Sequence, residues 1–378
     1  MRLALAIHRY FPHGGLQRDC RGLLDELLRR GHDCRVYCMG WEGDAPPGAV
    51  LRVLPARGLS NHRRDRNFQR AVQANLGRDP VDGVIGFNRM PGLDVYFAGD
   101  ACFAQRAAAR GALYRRTPRA RHYAASERAV FDPAAATRIL LLNATQRDGY
   151  LRHYATPPQR LHLLPPGVAP DRRAPEGAAR RRRALRAALD AAEGELLLLF
   201  VGSAFDTKGL DRAIAALAAL CEAQPGLGAR LLVVGANRRD TQVRPWRRLA
   251  KRLGVAGQVE FLGAREDIGE LMLGADLLVH PARSEAGGVV LLEALASGLP
   301  VIASGACGYA PCIAEARGGK VLEEPFAQEE LDRALLRAVD GVYRADCREG
   351  GLAWAGRTDL DALHRDAADC IEGWLGSG

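Results

Sequence analysis

No stretch of this 378-residue chain holds the ~18–20 consecutive apolar residues that a helix needs to cross a bilayer. There is no Cys-x-x-Cys pair either. The nine cysteines are scattered and odd in number, which argues against a disulfide framework and for reduced thiols. Cys34 and Cys38 lie four apart on an expected strand, where that spacing makes them small core residues of one face. The dinucleotide fingerprint Gly-x-Gly-x-x-Gly is missing after the first expected strand, where Gly14-Gly15 stands instead, so no nicotinamide cofactor is expected. Asp-x-Asp occurs only at Asp359-Leu360-Asp361, far along the tail, so a metal-bridging acidic pair does not stand at the end of an expected strand and no metal is expected. Met1–Ile7 is too short for a signal peptide and reads as a first strand, which leads to a cytoplasmic expectation.

What is present is a globular α/β composition, 48% hydrophobic, in a chain long enough for two domains. A net charge of +9 calls for an acidic partner, whether nucleic acid, anionic membrane or phosphorylated substrate. Residues 284–298 (Ser-Glu-Ala-Gly-Gly-Val-Val-Leu-Leu-Glu-Ala-Leu-Ala-Ser-Gly) organise the reading. The run Leu277–Pro281 predicts a buried strand, and a helix is then entered at two glycines. Free N–H groups at such a helix mouth, with the dipole behind them, favour an anion, most often a diphosphate. Glu293 falls on a helix that is apolar nearly all round, where a carboxylate needs a partner.

The rest of the chain alternates strands and helices. Residues 3–9 form a strand, the loop 10–15 follows, and a helix carries Leu16, Cys20, Leu23, Leu24, Leu27 and Leu28 at helical spacing. Asp19 on that helix either faces a cleft or points to solvent. Strands are expected at 34–39, 81–88, within 89–100, at 137–143 and at 161–164, with a helix at 145–154. Residues 101–131 carry seven arginines with Glu127 as the one acid, interleaved with Phe103, Tyr114, Tyr123 and Phe131 and broken at Pro118. That composition suits an interfacial helix on an anionic headgroup layer. A solvated basic helix pair or a nucleic-acid groove would use the same residue types, although no nucleic-acid motif accompanies them. A Pro, Ala and Arg-rich linker follows Pro165, and its arginines 180–183 and 186 read as an exposed helix face. The second half repeats the pattern with strands at 196–201, 231–234, 259–262, 277–280 and 301–303, then helices at 327–339, 347–355 and 360–374. Gly202 ends the first of these strands, and Lys208-Gly209 opens the next helix, well placed to neutralise a diphosphate.

Glu285 and Glu293 around Gly287-Gly288 resemble the Glu-x7-Glu motif of the retaining, nucleotide-sugar-dependent glycosyltransferases of family 4. Residues 11–19 (Phe-Pro-His-Gly-Gly-Leu-Gln-Arg-Asp), 41–44, 86–100 and 164–167 are similar, over essentially the whole chain, to the lipopolysaccharide core glucosyltransferase I family. The resemblance implies a GT-B fold, two Rossmann-like domains facing a central cleft. It places an acceptor domain at 1–168, with 101–131 as a membrane-contacting insertion and 356–378 packing back on it. The nucleotide-sugar domain would be 169–355. It further implies a UDP-sugar donor, a heptosylated lipid A core acceptor, peripheral attachment to the anionic inner membrane and no nucleic acid. Glu285 would reach the donor sugar, Ala286–Val289 the diphosphate, Glu293 the ribose, and Arg172 a donor phosphate. Gly14, Gly15 and Gly202 would border the site, and the turns Gly235-Ala236-Asn237 and Gly263-Ala264-Arg265 would line the nucleoside. Glu285, Lys208, Asp19 and Asp100 are the expected catalytic residues, with Asp94 and Asp100 toward the acceptor. Arg106, Arg115, Arg116, Arg119, Arg121, Tyr114 and Tyr123 are expected at the membrane. His13 and Pro311-Cys312 depart from the family's pattern, so glucose is a default and galactose or N-acetylgalactosamine stays open.

Overall fold

Long apolar runs buried on both faces are the mark of parallel strands, and two such sets form here. The computed structural model describes residues 1–12, 14–235 and 240–376. Contacts divide it into one unit of residues up to Pro166 plus the chain from Asp361 onward, and a second unit, Gly167–Leu360.

The first unit contains β1 (Arg2–Tyr10), α1 (Gly15–Arg29), β2 (Asp33–Trp41), β3 (Ala49–Val53), α2 (Asn61–Arg78), β4 (Gly83–Gly86) and β5 (Val95–Ala98). It continues with α3 (Phe103–Ala109), α4 (Gly111–Arg115), α5 (Pro118–Phe131), β6 (Arg138–Leu141), α6 (Ala144–Leu151) and β7 (Leu161–Leu163). The second contains α7 (Ala178–Ala188), β8 (Leu196–Val201), α8 (Phe205–Lys208), α9 (Leu210–Ala223), β9 (Ala229–Val234), α10 (Asp240–Arg252), β10 (Val259–Gly263), α11 (Ile268–Gly274) and β11 (Leu277–His280). After these come α12 (Val289–Ala296), β12 (Val301–Ser304), α13 (Ala310–Ala316), β13 (Gly319–Leu322), α14 (Gln328–Arg337) and α15 (Gly341–Arg357), before α16 (Ala362–Leu375) rejoins the first unit.

All strands pair in parallel, in the orders β3-β2-β1-β4-β5-β6-β7 and β10-β9-β8-β11-β12-β13. Chain order reverses between β1 and β4 and between β8 and β11, the switch points where open α/β sheets bind ligands beyond their carboxyl ends. β1 buries Leu3–Ile7 without interruption, and α1 covers it with Cys20, Leu23, Leu24 and Leu27. Each such leucine contributes about 1.5–3 kcal/mol of burial. α16 closes the same unit. Arg30 pairs with Asp369 at 2.6 Å and Glu372 at 2.7 Å, and His32 meets Glu372 at 2.7 Å.

Four elements are additional to the expected pattern. β3 and β13 are short edge strands, α8 is a single turn ending at Lys208, and α2 hides its buried stripe because Asp65 and Gln69 share it with Phe68 and Val72. One expectation holds only in part. Arg180, Arg181 and Arg183 of α7 are exposed, but Arg182 and Arg186 grip buried Asp276, and Arg182 caps the carbonyls of Leu273 and Gly274 at 3.1 Å.

Candidate functional site

In the second unit the site grows from the carboxyl ends of β8 and β11. β8 runs into the short helix α8, whose last residue is Lys208. Gly209 follows in the left-handed region (φ 76°), and a Cβ there would collide with the Pro281 carbonyl oxygen. Only glycine lets the segment after β11 lie against α8 so closely. Arg283 fastens that segment: it donates to the Asp206 carbonyl at 2.8 Å, forks onto Asp211 at 2.8 and 2.6 Å, and its N–H reaches Thr207 O at 2.8 Å. Two residues on, Glu285 bridges to Cys307 through its backbone, and its carboxylate contacts the Lys208 ammonium.

Burial pushes Lys208 down to about 8, yet the Glu285 carboxylate favours the charged ammonium, so the two form an ion pair at neutral pH. His280, fully buried at the end of β11, has Nε2 3.5 Å from Glu285 Oε2. Burial, with Lys208 adding to it, pushes His280 down to about 3, so the ring is neutral. Its role was not legible in the sequence, where it reads as one more core position of an apolar strand.

Gly288 (φ 86°) caps α12, and no acceptor is found for the N–H groups of Gly287, Gly288 and Val289 among the described residues. A helix leaves its first N–H groups free in this way, and here they stand just after Glu285. Glu293 is buried one turn inside α12. Arg172 lies in a 3-10 turn held to α12 by Ser297 Oγ donating to its carbonyl at 3.0 Å; its Nη2 donates to Glu266 O at 3.2 Å, and Nη1 is buried without a partner. Gly202 follows β8, with the Lys208 stem lying over it. Arg265 forks onto Asp267 at 2.8 and 2.5 Å. Ala236 and Asn237, expected beside the nucleoside, lie outside the described residues, as does His13.

In the first unit the switch point is polar. Asp65, buried on α2, lies between two imidazoles: His8 Nε2 at 2.7 Å and His122 Nε2 at 2.8 Å. Burial would raise this carboxyl, but the two histidines hold it below the usual carboxylate range. The His8 N–H donates to Asn88 Oδ1 at 2.7 Å, tying the end of β1 to the end of β4. Arg89 is buried against the Glu127 carboxylate, which also accepts from the N–H groups of Phe103 at 2.6 Å and Ala104 at 2.8 Å and from Tyr154 Oη at 2.9 Å. Glu127, the one acid of the basic segment, thus anchors it from within. His8, Asp65, Asn88, Arg89 and Phe103 border a pocket of about 260 Å³.

The three candidate aspartates part company. Asp100, half-buried, follows β5 at its carboxyl end, lines the pocket and lies 3.8 Å from Arg89. Asp94 precedes β5 and accepts from the Val84 N–H at 2.8 Å, which puts it at the opposite edge of the sheet, about 13 Å of strand away. Asp19 is buried on α1, 3.7 Å from His364 of α16. Gly14 caps α1 and Gly15 begins it. Of the residues expected at a membrane, Arg106, Arg119, Tyr114 and Tyr123 line the pocket, whereas Arg115, Arg116 and Arg121 are exposed outside it. One cluster among the described residues brings metal-ligand types together, His162, Asp366 and Cys370. Burial pushes the Cys370 thiol up to about 11, away from the thiolate that binds metal, and His162 and Asp366 already pair at 2.6 Å.

Two Rossmann-like units, one with a lysine–glutamate pair beside a glycine-capped helix mouth, define a sugar-nucleotide transferase of the two-domain kind. The glycosyl transferases group 1 model matches residues 181–353 and the glycosyltransferase family 4 model matches residues 13–172. The chain belongs to this glycosyltransferase family. It is 44% identical over 99% of its length to lipopolysaccharide glucosyltransferase WaaG of Escherichia coli (strain K12), covering 100% of that protein. The crystal structure of WaaG, a glycosyltransferase involved in lipopolysaccharide biosynthesis, superposes with a TM-score of 0.94 at 44% identity, covering 98% of this chain and 100% of that one. HepE of Anabaena in complex with UDP-glucose shares the fold, with a TM-score of 0.77 at 17% identity over 99% of this chain and 100% of that one.

Proposed function

We propose that the chain transfers a hexose, glucose by default, from a UDP-sugar to a heptose of the lipopolysaccharide inner core, with retention of configuration and without a metal. The carrying observation is the Lys208–Glu285 pair beside the unpaired N–H groups of Gly287, Gly288 and Val289. Kinship with a lipopolysaccharide glucosyltransferase over the full chain supports the acceptor class. As the bond from the sugar C1 to the diphosphate breaks, negative charge grows on the leaving oxygen. N–H dipoles fixed by α12 and the Lys208 ammonium stabilise that charge more in the transition state than in the ground state. Arg172 adds a second cation and Glu293 holds the ribose. Glu285 then exchanges part of its contact with Lys208 for the donor hydroxyls, and neutral His280 leaves that carboxylate charged. Asp100 orients the acceptor hydroxyl for attack on the face the diphosphate leaves; the hydroxyl's proton passes to the departing phosphate oxygen, so no covalent intermediate forms and placement governs the rate.

The acceptor is lipid-linked, which places the enzyme at the cytoplasmic face of the inner membrane. Leu113 on α4 is 82% exposed between arginines, as a membrane-contacting wedge would be. No described helix is long and apolar enough to cross a membrane.

The test is UDP release from UDP-glucose, UDP-galactose and UDP-N-acetylgalactosamine with heptosylated lipid A core, in wild type, Lys208→Ala and Glu285→Ala. Wild type is expected to turn over one donor best, Lys208→Ala to lose about 10²–10³-fold in kcat, the usual loss for a removed transition-state donor, and Glu285→Ala to lose turnover as well. Wild-type rates in both variants would remove the assignment.

A further inference from the structure

Three arginines of the basic segment each lie over an aromatic ring: Arg106 over Phe103 at 5.9 Å, Arg110 over Tyr114 at 5.0 Å and Arg119 over Tyr123 at 5.8 Å. All six side chains line the pocket of about 260 Å³ in the first unit. A guanidinium resting on a ring loses little further freedom when it binds, so the pairs are pre-organised donors. Among the described residues none of the three meets a carboxylate. The acids nearby are already engaged. Glu127 is turned inward onto Arg89 and two N–H groups, Asp65 is held between His8 and His122, and Asp100 leans toward Arg89. The pocket therefore carries three arginines that pair with no carboxylate among the described residues, while its floor is polar at Asn88 and Ser126.

We propose that this pocket recognises an anionic group, a phosphate or carboxylate, carried on a sugar of the acceptor. The pocket adjoins a second one of about 630 Å³ through His8, Asp65, Asn88 and Tyr123, so a substituted sugar ring has room. Forked guanidinium donors suit phosphate and carboxylate oxygens, and the polar floor suits ring hydroxyls. The basic segment thereby gains a second duty: Arg106, Arg110 and Arg119 read the acceptor's charge, leaving the headgroup layer to α4. This rests on the reading that the enzyme takes an inner-core glycan as acceptor.

The experiment titrates wild type calorimetrically with a synthetic heptosyl disaccharide bearing one phosphate monoester, and with the same disaccharide lacking it. Wild type is expected to prefer the phosphorylated form by at least about tenfold, as one or two charge-assisted hydrogen bonds would give. Arg106→Gln/Arg110→Gln/Arg119→Gln should erase the preference, whereas Arg70→Gln/Arg128→Gln/Arg152→Gln, the same charge loss elsewhere on the unit, should keep it. Circular dichroism checks the fold, and the triple lysine variant should restore part of the preference. No preference in wild type, or one that survives the first triple change, overturns the proposal. A further arm adds phosphatidylglycerol vesicles: if they displace the disaccharide from wild type, the pocket serves lipid headgroups and the proposal falls. If no UDP-hexose is turned over yet the preference stands, the failure lies with the proposed reaction and the pocket remains an anion site.

Discussion

Both sheets reverse their strand order once, and the two switch points carry opposite kinds of chemistry. Beyond β8 and β11 the central groups are compact and matched: the half-buried Lys208 ammonium and Glu285 carboxylate, beside a fully buried imidazole kept neutral by its surroundings. Beyond β1 and β4 they are more numerous, with Asp65 buried between two histidines and exposed arginines resting on aromatic rings. A diphosphate, a compact anion whose charge grows as its bond to the sugar breaks, suits the first arrangement. A glycan acceptor, with hydroxyls in several directions and charge at one corner, needs the second. Lys208 sharpens the contrast, since it is one of only three lysines among 53 basic residues. A compact ammonium suits a narrow, dry site where a planar guanidinium would not seat as well.

The contrast breaks most readily at Glu127, which holds the first unit's site together. Glu127→Ala leaves Arg89 buried without its counter-charge and frees two N–H groups and the Tyr154 hydroxyl. The expected cost is about 3–5 kcal/mol, the usual penalty for stripping one partner from a buried pair. Calorimetry should show the first unit's transition shifted down while the second unit's stays in place. A loss below about 1 kcal/mol would mean that the anchor is not electrostatic.

Next in size is the pH response of the second unit. Lys208 must keep its proton to offset the diphosphate, and burial has pushed it down to about 8. kcat/KM should therefore fall as pH rises through about 8, approaching tenfold per pH unit. The Lys208→Arg variant, slower throughout, should lose that limb because a guanidinium stays charged beyond pH 12. Stability should move the opposite way. With an unfolded value of 10.5 and a folded one of about 8, the unfolded chain binds more protons between these limits, so stability rises with pH there. A flat activity profile from pH 7 to 10 in wild type would remove Lys208 from the rate-determining charge balance.

Legibility in the sequence followed the same division. Apolar strands, the glycine-capped helix and the spacing of Glu285 and Glu293 are local patterns, and the lysine needs only its position after a strand. Residues beyond local pattern were invisible: Arg283 works by stapling two loops 77 residues apart in sequence, and His280 looks like any member of a buried strand. α2 escaped because its buried face mixes Asp65 and Gln69 with apolar residues, and that mixture is what builds the polar switch point of the first unit. The arginines of 101–131 were read as one group by composition. Helix geometry sorts them into those that line a pocket and those that face outward, a distinction that only direction can supply.

The smallest expected effect tests the outward set. Arg115, Arg116 and Arg121 stand clear of the pocket, and Leu113 projects beside them. Each juxtamembrane cation contributes about 1 kcal/mol near an anionic surface, close to fivefold in binding. Arg115→Gln/Arg116→Gln/Arg121→Gln should therefore weaken sedimentation with phosphatidylglycerol vesicles strongly and with phosphatidylcholine vesicles hardly at all. Leu113→Ser should weaken both by a similar small factor, because it removes an apolar contact indifferent to headgroup charge. If the pocket set Arg106, Arg110 and Arg119 proved as costly for vesicle binding as the outward set, the segment would be one undivided basic surface. The separation between reading a glycan and touching a bilayer would then collapse.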